Sequence, residues 1–305
     1  MAGRHTYKAF LALDIVQWTS SCRVFSEAYQ LEINNNADMT RTALRLDNVT
    51  CTFPSRTGGT YTALADASLA VADGEFVSIV GPTGCGKSTL LNVAAGLLTP
   101  SAGAVEIFGR PLSGMNEHAG YLFQSDALLP WRTARENVMV GLEFRGVQKQ
   151  EARDRADAWL ARVHLAGHGD KYPHELSGGM RKRVALAQTF ILDPKILLMD
   201  EPFSALDVQT RTLMENELLG LWSQTRKSVA FVTHDIEEAI SLSDRVVVLS
   251  AGPASHPIGE FRIDLARPRD VLEVRLMPEF LEIHRTIWDA LKAEVLKTYA
   301  QEGAP

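Results

Sequence analysis

An α/β fold on a largely parallel sheet is predicted for residues 43–250 by three observations. Short apolar, β-branched runs alternate with segments of helical period across that stretch. Three of the runs stop abruptly at polar residues: Val77–Val80 at a glycine-rich loop, Ile196–Met199 at Asp200-Glu201, and Val229–Thr233 at His234. In an open parallel sheet, ligands lie beyond the carboxyl ends of the strands, so these three groups are expected to converge on one site.

Ahead of that pattern, residues 1–42 hold a brief apolar run, Phe10–Val16, broken by Asp14, and then the polar tracts Thr19–Ser21 and Asn34–Asn36. A loosely packed or disordered N-terminal extension is predicted there, a short packed helix being the less favoured alternative. The run falls short of the roughly 20 residues that span a bilayer, and no convincing small-residue cleavage site follows it. Met39 stands just before the ordered pattern and is a candidate initiator. An intact mass of the native protein equal to that of the full chain would refute this.

Strand patterning begins at Leu44–Val49. The run Glu75–Val80 then leads into Gly81-Pro82-Thr83-Gly84-Cys85-Gly86-Lys87-Ser88-Thr89, and Leu90, Leu91, Ala94, Ala95, Leu97 and Leu98 follow at helical spacing. This is the strand-loop-helix context that a phosphate-binding loop requires. Gly81, Gly84 and Gly86 let successive backbone N–H groups close around phosphate oxygens, and the positive end of the helix faces the same anion. Lys87 is expected to reach β- and γ-phosphates and Ser88 to hold Mg²⁺.

From Leu128 to about Phe190 the pattern is mainly helical, which predicts an inserted helical subdomain over about 128–190. Residues 251–305 form a tail that starts with Ala251–Pro257, rich in proline and small residues, and ends in a helix from Glu279 onward. Phe280, Ile283, Ile287, Trp288, Leu291 and Val295 fall near one face, expected to pack on the main domain; a partner groove is the minor alternative.

At 305 residues and 46% apolar composition the chain can bury a full core, and a net charge of −6 at pH 7 opposes a general affinity for nucleic acid or anionic lipid. The three cysteines, Cys22, Cys51 and Cys85, have no metal-type spacing and fit a reducing compartment without disulfides. Because Cys85 lies in the loop, a thiol reagent is expected to block activity and bound MgATP to protect; an inert small residue filling the loop is the other reading.

The segment Leu176-Ser177-Gly178-Gly179-Met180, followed by a helical run and then by Asp200-Glu201-Pro202, completes a distinctive order of motifs. Over residues from about Leu44 to Ser250 the chain resembles the ATP-binding subunits of ABC transporters, with Leu176–Met180 matching the signature and Ile196–Glu201 matching Walker B. The resemblance implies a P-loop ABC ATPase core that hydrolyses MgATP. Asp200 would bind Mg²⁺ through its water shell, and Glu201 would orient and polarise the attacking water. His234 matches the switch histidine that contacts the γ-phosphate. Gln124, in Tyr121–Gln124, matches the glutamine that senses Mg²⁺ and the water. Asp207, in Ser204–Asp207, matches the loop that crosses the dimer interface. Phe53 is the candidate aromatic for stacking on adenine, with Tyr61 and a simple core aromatic as alternatives.

In the family, Ser177 and the amides of Gly178 and Gly179 meet the γ-phosphate held by the other subunit. One phosphate loop and one signature per chain therefore imply a homodimer or a paired ATPase subunit. Met180 departs from the more usual glutamine, which removes a polar contact but leaves the backbone donors. Arg181, Lys182 and Arg183 put cations at a helix N-terminus, against its dipole. Either an anionic neighbour relieves that conflict or Lys182 and Arg183 form a solvated face.

Phe123-Gln124, Leu128–Arg132, Glu136-Asn137 and Asp200–Asp207 together look like the nitrate, sulfonate and taurine importer class. That class implies permease subunits, an indirect solute-binding protein, and a peripheral position on the cytoplasmic face of the inner membrane. Ala127–Trp131 is a candidate docking surface for a permease helix, with subdomain core as the other reading. A soluble ABC ATPase acting on nucleic acid or ribosomes would bring tandem domains, a long coiled coil or a basic surface, and none is evident. A catalytically silent regulatory subunit is opposed by the presence of Lys87, Asp200, Glu201 and His234.

Overall fold

The structure, a computed structural model, describes residues 41–55 and 58–302. The predicted N-terminal extension, the Met39 reading and Cys22 lie outside the described residues. Two sheets share the work. The first is antiparallel, in the order β2-β1-β4-β5, built from β1 (Thr42–Pro54), β2 (Thr60–Ala72), β4 (Ala102–Ile107) and β5 (Arg110–Pro111). Its long hairpin alternates as a half-buried sheet should, with Leu44, Leu46, Val49 and Cys51 turned inward opposite Leu64, Ala67, Leu69 and Val71.

The second sheet runs β10-β9-β3-β8-β7-β6, from β3 (Phe76–Val80), β6 (Ala119–Leu122), β7 (Ile196–Asp200), β8 (Ser228–Val232), β9 (Arg245–Leu249) and β10 (Pro257–Arg262). All its neighbours are parallel except β10, which runs antiparallel on the edge. Every residue of β3 and β8 is buried, which is why both are apolar in the sequence save for one small serine each, Ser78 and Ser228.

Helices α1 (Lys87–Ala94), α2 (Ala134–Phe144), α3 (Lys149–Arg162), α4 (Gly178–Phe190), α5 (Val208–Thr225), α6 (Ile236–Leu242), α7 (Val271–Arg275) and α8 (Pro278–Glu302) complete the described fold. One core fills the space between the sheets around Leu90 and Leu91 of α1. A second lies beneath the parallel sheet, where α2–α5 pack through Val138, Leu160, Leu186 and Leu218. A third joins α6 and α8 to the strand ends through Val80, Ile240, Phe280 and Ile287.

Two sequence expectations shift. The helix expected to run through Leu98 ends at Ala94, because Gly96 adopts φ +71, and Leu97 is left half exposed. On α8, Phe280, Ile287 and Leu291 are buried and Ile283 and Val295 pack against them, whereas Trp288 is 42% exposed. The buried set follows steps of three and four residues; Trp288 sits one residue, about 100°, past Ile287 and so turns off that stripe.

The predicted helical stretch begins later than Leu128. Residues 128–133 are irregular, and α2 starts only after Thr133, which caps it in a reciprocal box with Glu136. Asn137, fully buried, ties the irregular segment down. Its Oδ1 accepts from the Leu129 N–H at 2.7 Å, and its Nδ2 donates to the carbonyls of Leu129, Arg132 and Thr133 at 3.0–3.1 Å.

Candidate active site

The glycine-rich loop joins β3 to α1 and is shaped by close packing. Gly84 and Gly86 have φ of +75 and +100, in the region that only glycine enters freely. A Cβ on Gly81 would come within 2.8 Å of Cys85 Sγ, and one on Gly86 within 3.0 Å of Leu64 Cδ2. Helix α1 has no side-chain cap and no acid in its first turn, so its N-terminal donors are open to an anion. Pro82, Thr83 and Thr89 complete the loop-to-helix turn around them.

Lys87, only 6% exposed, lies across this loop and donates to the carbonyls of Gly81 (3.0 Å) and Pro82 (3.1 Å). Its ammonium is 3.9 Å from Glu201 Oε1. Ser88 Oγ donates to Asp200 Oδ1 at 3.1 Å, joining the first turn of α1 to the end of β7. Burial pushes the Asp200 carboxyl above its ordinary range, with the Glu201 charge adding, while Ser88 and Lys87 pull the other way.

Glu201 has φ +42, uncommon for a residue with a side chain and costing about 1–3 kcal/mol. The neighbours over-determine it: its N–H donates to the Val232 carbonyl at 2.9 Å and its own carbonyl accepts from Ser204 Oγ at 2.9 Å. This turn aims the carboxylate back over the strand ends, where Oε2 meets His234 Nδ1 at 3.0 Å. The three predicted strand ends thus converge: Lys87, Ser88, Asp200, Glu201 and His234 are linked by direct contacts.

Gln124 is exposed just past the end of β6. Its carbonyl accepts from Lys182 Nζ at 3.1 Å, and this exposes a cluster that spacing alone did not resolve. Lys182 is 2% exposed and pairs with Asp126 at 3.0 Å; Arg181 reaches the other Asp126 oxygen at 3.1 Å, and Arg183 pairs with Glu217 at 3.0 Å. The anionic neighbours that relieve the dipole conflict are therefore within the chain, and the solvated-face reading of Lys182 is wrong.

Tyr121, quoted in the sequence but given no role there, lies beside Asp200, and burial together with that carboxylate holds its phenol above the ordinary range. On the other side, Phe53 and Tyr61 form a cross-strand pair. Phe53 is half-buried against the core, whereas Tyr61 is 44% exposed. The Tyr61 hydroxyl and Gly84 both lie within 4 Å of where a Gly252 Cβ would stand, so Tyr61 is the aromatic adjoining the phosphate loop.

Ser177 caps α4, its Oγ accepting from the Met180 N–H at 3.3 Å. Gly178 and Gly179 open that helix against Leu206 and Thr210; a Cβ at Gly179 would meet Thr210 Cγ2 at 2.7 Å. Asp207 caps α5 by accepting from the Thr210 N–H at 3.0 Å, a bond that holds its carboxyl below the usual range. Signature and Asp207 therefore form one surface. Among the described residues no hydrogen bond or ion pair joins it to the phosphate loop.

Cys85 does not match the expectation of a reactive thiol. It is 1% exposed and burial pushes its thiol up, so its place in the loop is that of a packed small side chain. Cys51 is also free and buried.

A further buried group behind the switch histidine escaped the sequence reading. Glu238, 4% exposed, accepts a short hydrogen bond from Thr233, the residue before His234. Burial pushes its carboxyl up to about 8; Thr233 pulls it down, and the charges of Glu215 and Asp235 add to the rise. Glu215, facing it, is pushed to about 7 by burial, only partly offset by Arg275 and Arg211. A carboxyl whose folded value lies above its unfolded one keeps its proton on folding. Stability is then greatest below the unfolded value of 4.5 and falls as pH rises through about 8. Glu238→Gln is expected to remove that slope, raising Tm at pH 9 by roughly 2–4 °C with little change at pH 5. Thermal melts across this range check it, and an equal shift at both pH values would refute it.

A glycine loop feeding a helix N-terminus, with an Asp-Glu pair and a histidine at neighbouring parallel strand ends, defines a P-loop nucleotide triphosphatase. The family model described as ABC transporter matches residues 64–204. An uncharacterised ABC transporter ATP-binding protein of Methanocaldococcus jannaschii is 46% identical over 86% of this chain and 96% of its own length. The taurine import ATP-binding protein TauB of Yersinia pestis is 47% identical over 63% of this chain and 75% of its own. The nitrate import ATP-binding protein NrtC of Synechococcus elongatus is 40% identical over 82% of this chain and 38% of its own. Among solved structures, the dimeric ATP-binding cassette MJ0796 bound to ADP and Pi superposes with a TM-score of 0.65 at 33% identity, covering 73% of this chain and all of that one. The chain belongs to the ABC transporter family, as an ATP-binding subunit whose ATPase activity is coupled to transport.

Proposed function

We propose that this chain powers a membrane importer for a small anion or organic solute such as nitrate, sulfonate or taurine. The observation that carries the ATPase part is the contact set among Lys87, Ser88, Asp200, Glu201 and His234; the solute class rests on the likeness to the TauB and NrtC proteins. Lys87 and the α1 N-terminus bind the β- and γ-phosphates, and Tyr61 or Phe53 stacks on adenine. Glu201 accepts a proton from the attacking water, and His234, bonded to Glu201, holds that carboxylate in line and meets the γ-phosphate.

Mg²⁺ fits the oxygen pair at the end of β7: a hydroxyl beside a half-buried carboxylate suits a hard cation that takes its other ligands from water and phosphate. Ser88 and Asp200 would hold it, with Gln124 reaching it from β6; when bound it supplies charge neutralisation of the phosphates.

The signature and Asp207 share a surface that, among the described residues, makes no hydrogen bond or ion pair to the chain's own phosphate loop. That supports a role in a second copy's site, in a homodimer or with a paired ATPase subunit, with ATP between the two chains. Attachment to permease subunits at the cytoplasmic face of the inner membrane, downstream of a solute-binding protein, completes the reading. No helix among the described residues is long and apolar enough to cross a membrane.

The docking segment divides in two. Leu128 packs on the helical core, whereas Trp131 is 71% exposed. Trp131 is the anchor for a permease helix, and Trp131→Ala is expected to weaken the complex about 30-fold or more while basal ATPase of the isolated chain is unchanged. Co-purification of the variant with its membrane partner at wild-type yield and salt resistance would count against it.

The broader test is affinity purification of this chain from solubilised native membranes, with mass spectrometry of what accompanies it and uptake assays on the solutes named. A multi-spanning permease among the partners supports the importer; a ribosomal or DNA-bound complex overturns it.

A further inference from the structure

The loop between β9 and β10, residues Ala251–His256, lies at the junction of three elements. Toward β2 it is stitched by backbone bonds: Ala254 N–H to Thr62 O at 2.7 Å, Ser255 N–H to Ala63 O at 3.1 Å, and Ala65 N–H to Ser255 O at 3.1 Å. Toward the phosphate loop it presents Gly252, where a Cβ would stand 3.4 Å from Gly84 O and 3.6 Å from Cys85 Cα. Toward α8 it is held by one side chain: Glu294 Oε2 accepts the Ala251 N–H at 2.8 Å. Glu294 is only 6% exposed, although Lys292, Ala293, Leu296 and Lys297 around it on the helix are exposed, and its second oxygen is bonded to Lys297 Nζ at 2.5 Å.

A carboxylate this sheltered is costly to bury unless its bonds return the loss. Here they go to a loop whose next residue backs onto the phosphate loop. Nothing in the packing of α8 requires an acid at this position, since the apolar stripe of Phe280, Ile287 and Leu291 already seats the helix.

We infer that Glu294 is a positioning residue for ATP binding: through Ala251 and Gly252 it braces the outer wall of the phosphate loop, so the C-terminal helix sets nucleotide affinity from a distance. A Cβ at Gly252 would lie within 4 Å of both Gly84 O and the Tyr61 hydroxyl, so this residue sits beside the phosphate loop and its adjoining aromatic. Release of the brace lets both relax. The expected signature is therefore a change in ATP affinity without a change in the chemical step, because no atom of the brace touches Glu201 or His234. The inference rests on the reading of Gly81–Ser88 as the ATP site.

The test uses the purified full-length chain and measures KM for ATP, kcat and the equilibrium Kd for a fluorescent ATP analogue. Glu294→Ala should raise KM and Kd about five- to tenfold with kcat within twofold of wild type. Glu294→Gln keeps a carbonyl oxygen for the Ala251 N–H and should restore affinity to within about twofold. Gly252→Val strikes the same link from the other end by placing a branched side chain beside Gly84 O and the Tyr61 hydroxyl, and should mimic Glu294→Ala if that variant proves unstable. Unchanged KM in both Glu294→Ala and Gly252→Val, or a fall in kcat at constant KM, overturns the inference. Lys87→Ala separates the two layers: if it too binds ATP normally the site reading itself fails, and if it alone loses ATP only the brace does.

Discussion

Glu201→Gln is expected to lower ATP turnover by about 10²–10⁴-fold while ATP binding stays equal to wild type or tightens. The amide keeps the volume of the carboxylate and an oxygen for its neighbours, so the turn at φ +42 and the contact with His234 need not move. What is lost is the ability to accept a proton, and with it a negative charge that repels the γ-phosphate. Phosphate release and equilibrium dialysis of labelled ATP read the two effects separately. Turnover within a factor of ten of wild type would remove Glu201 from the mechanism; lost binding would instead mean that the substitution had disturbed the loop through Lys87, 3.9 Å away.

Lys87→Ala is expected to act on the other half of the cycle, weakening ATP binding by about 100-fold or more. Charge-assisted bonds to phosphate contribute roughly twice what neutral ones do, and this ammonium is nearly enclosed, where it is little screened by water. Removing it also takes a donor from the Gly81 carbonyl and leaves Pro82 with only the Cys85 N–H, so a modest fall in Tm should accompany the loss. ATP affinity within threefold of wild type would contradict the assignment.

The parts of this site legible in the sequence are those where a local rule acts. Val77–Val80, Ile196–Met199 and Val229–Val232 announced themselves because buried parallel strands need apolar side chains on both faces, and their ends were marked by a change to polar residues. The glycines of the phosphate loop were legible for a similar reason, since positive φ at Gly84 and Gly86 leaves few other choices. Partnerships across the chain were not. Asp126 and Lys182 meet only because α4 packs beside the segment after β6, and neither position has a periodic signature that names the other. Glu238 has no local signature in the sequence, because the Glu215 carboxylate that acts on it comes from α5, an element distant in the chain. Cys85 shows the reverse failure: a position inside a reactive loop suggested access, but packing against Gly81 closes it. Which of Phe53 and Tyr61 is exposed beside the loop depends on side-chain placement, which a strand of mixed polarity does not reveal.

The four hydrogen bonds of Asn137 have a bearing on how fast this subunit can find its place. They hold the backbone of Leu129–Thr133 from within, so the segment carrying Trp131 is already set before any encounter. A partner helix arriving there has no loop to order and loses little conformational freedom beyond its own. Docking on such a stiff footing should proceed by near rigid-body collision, with association rates set by orientation and little affected by temperature beyond the viscosity of the solvent. If a permease helix docks there as proposed, that stiffness would let a displacement of this subunit be passed on to it with little slack.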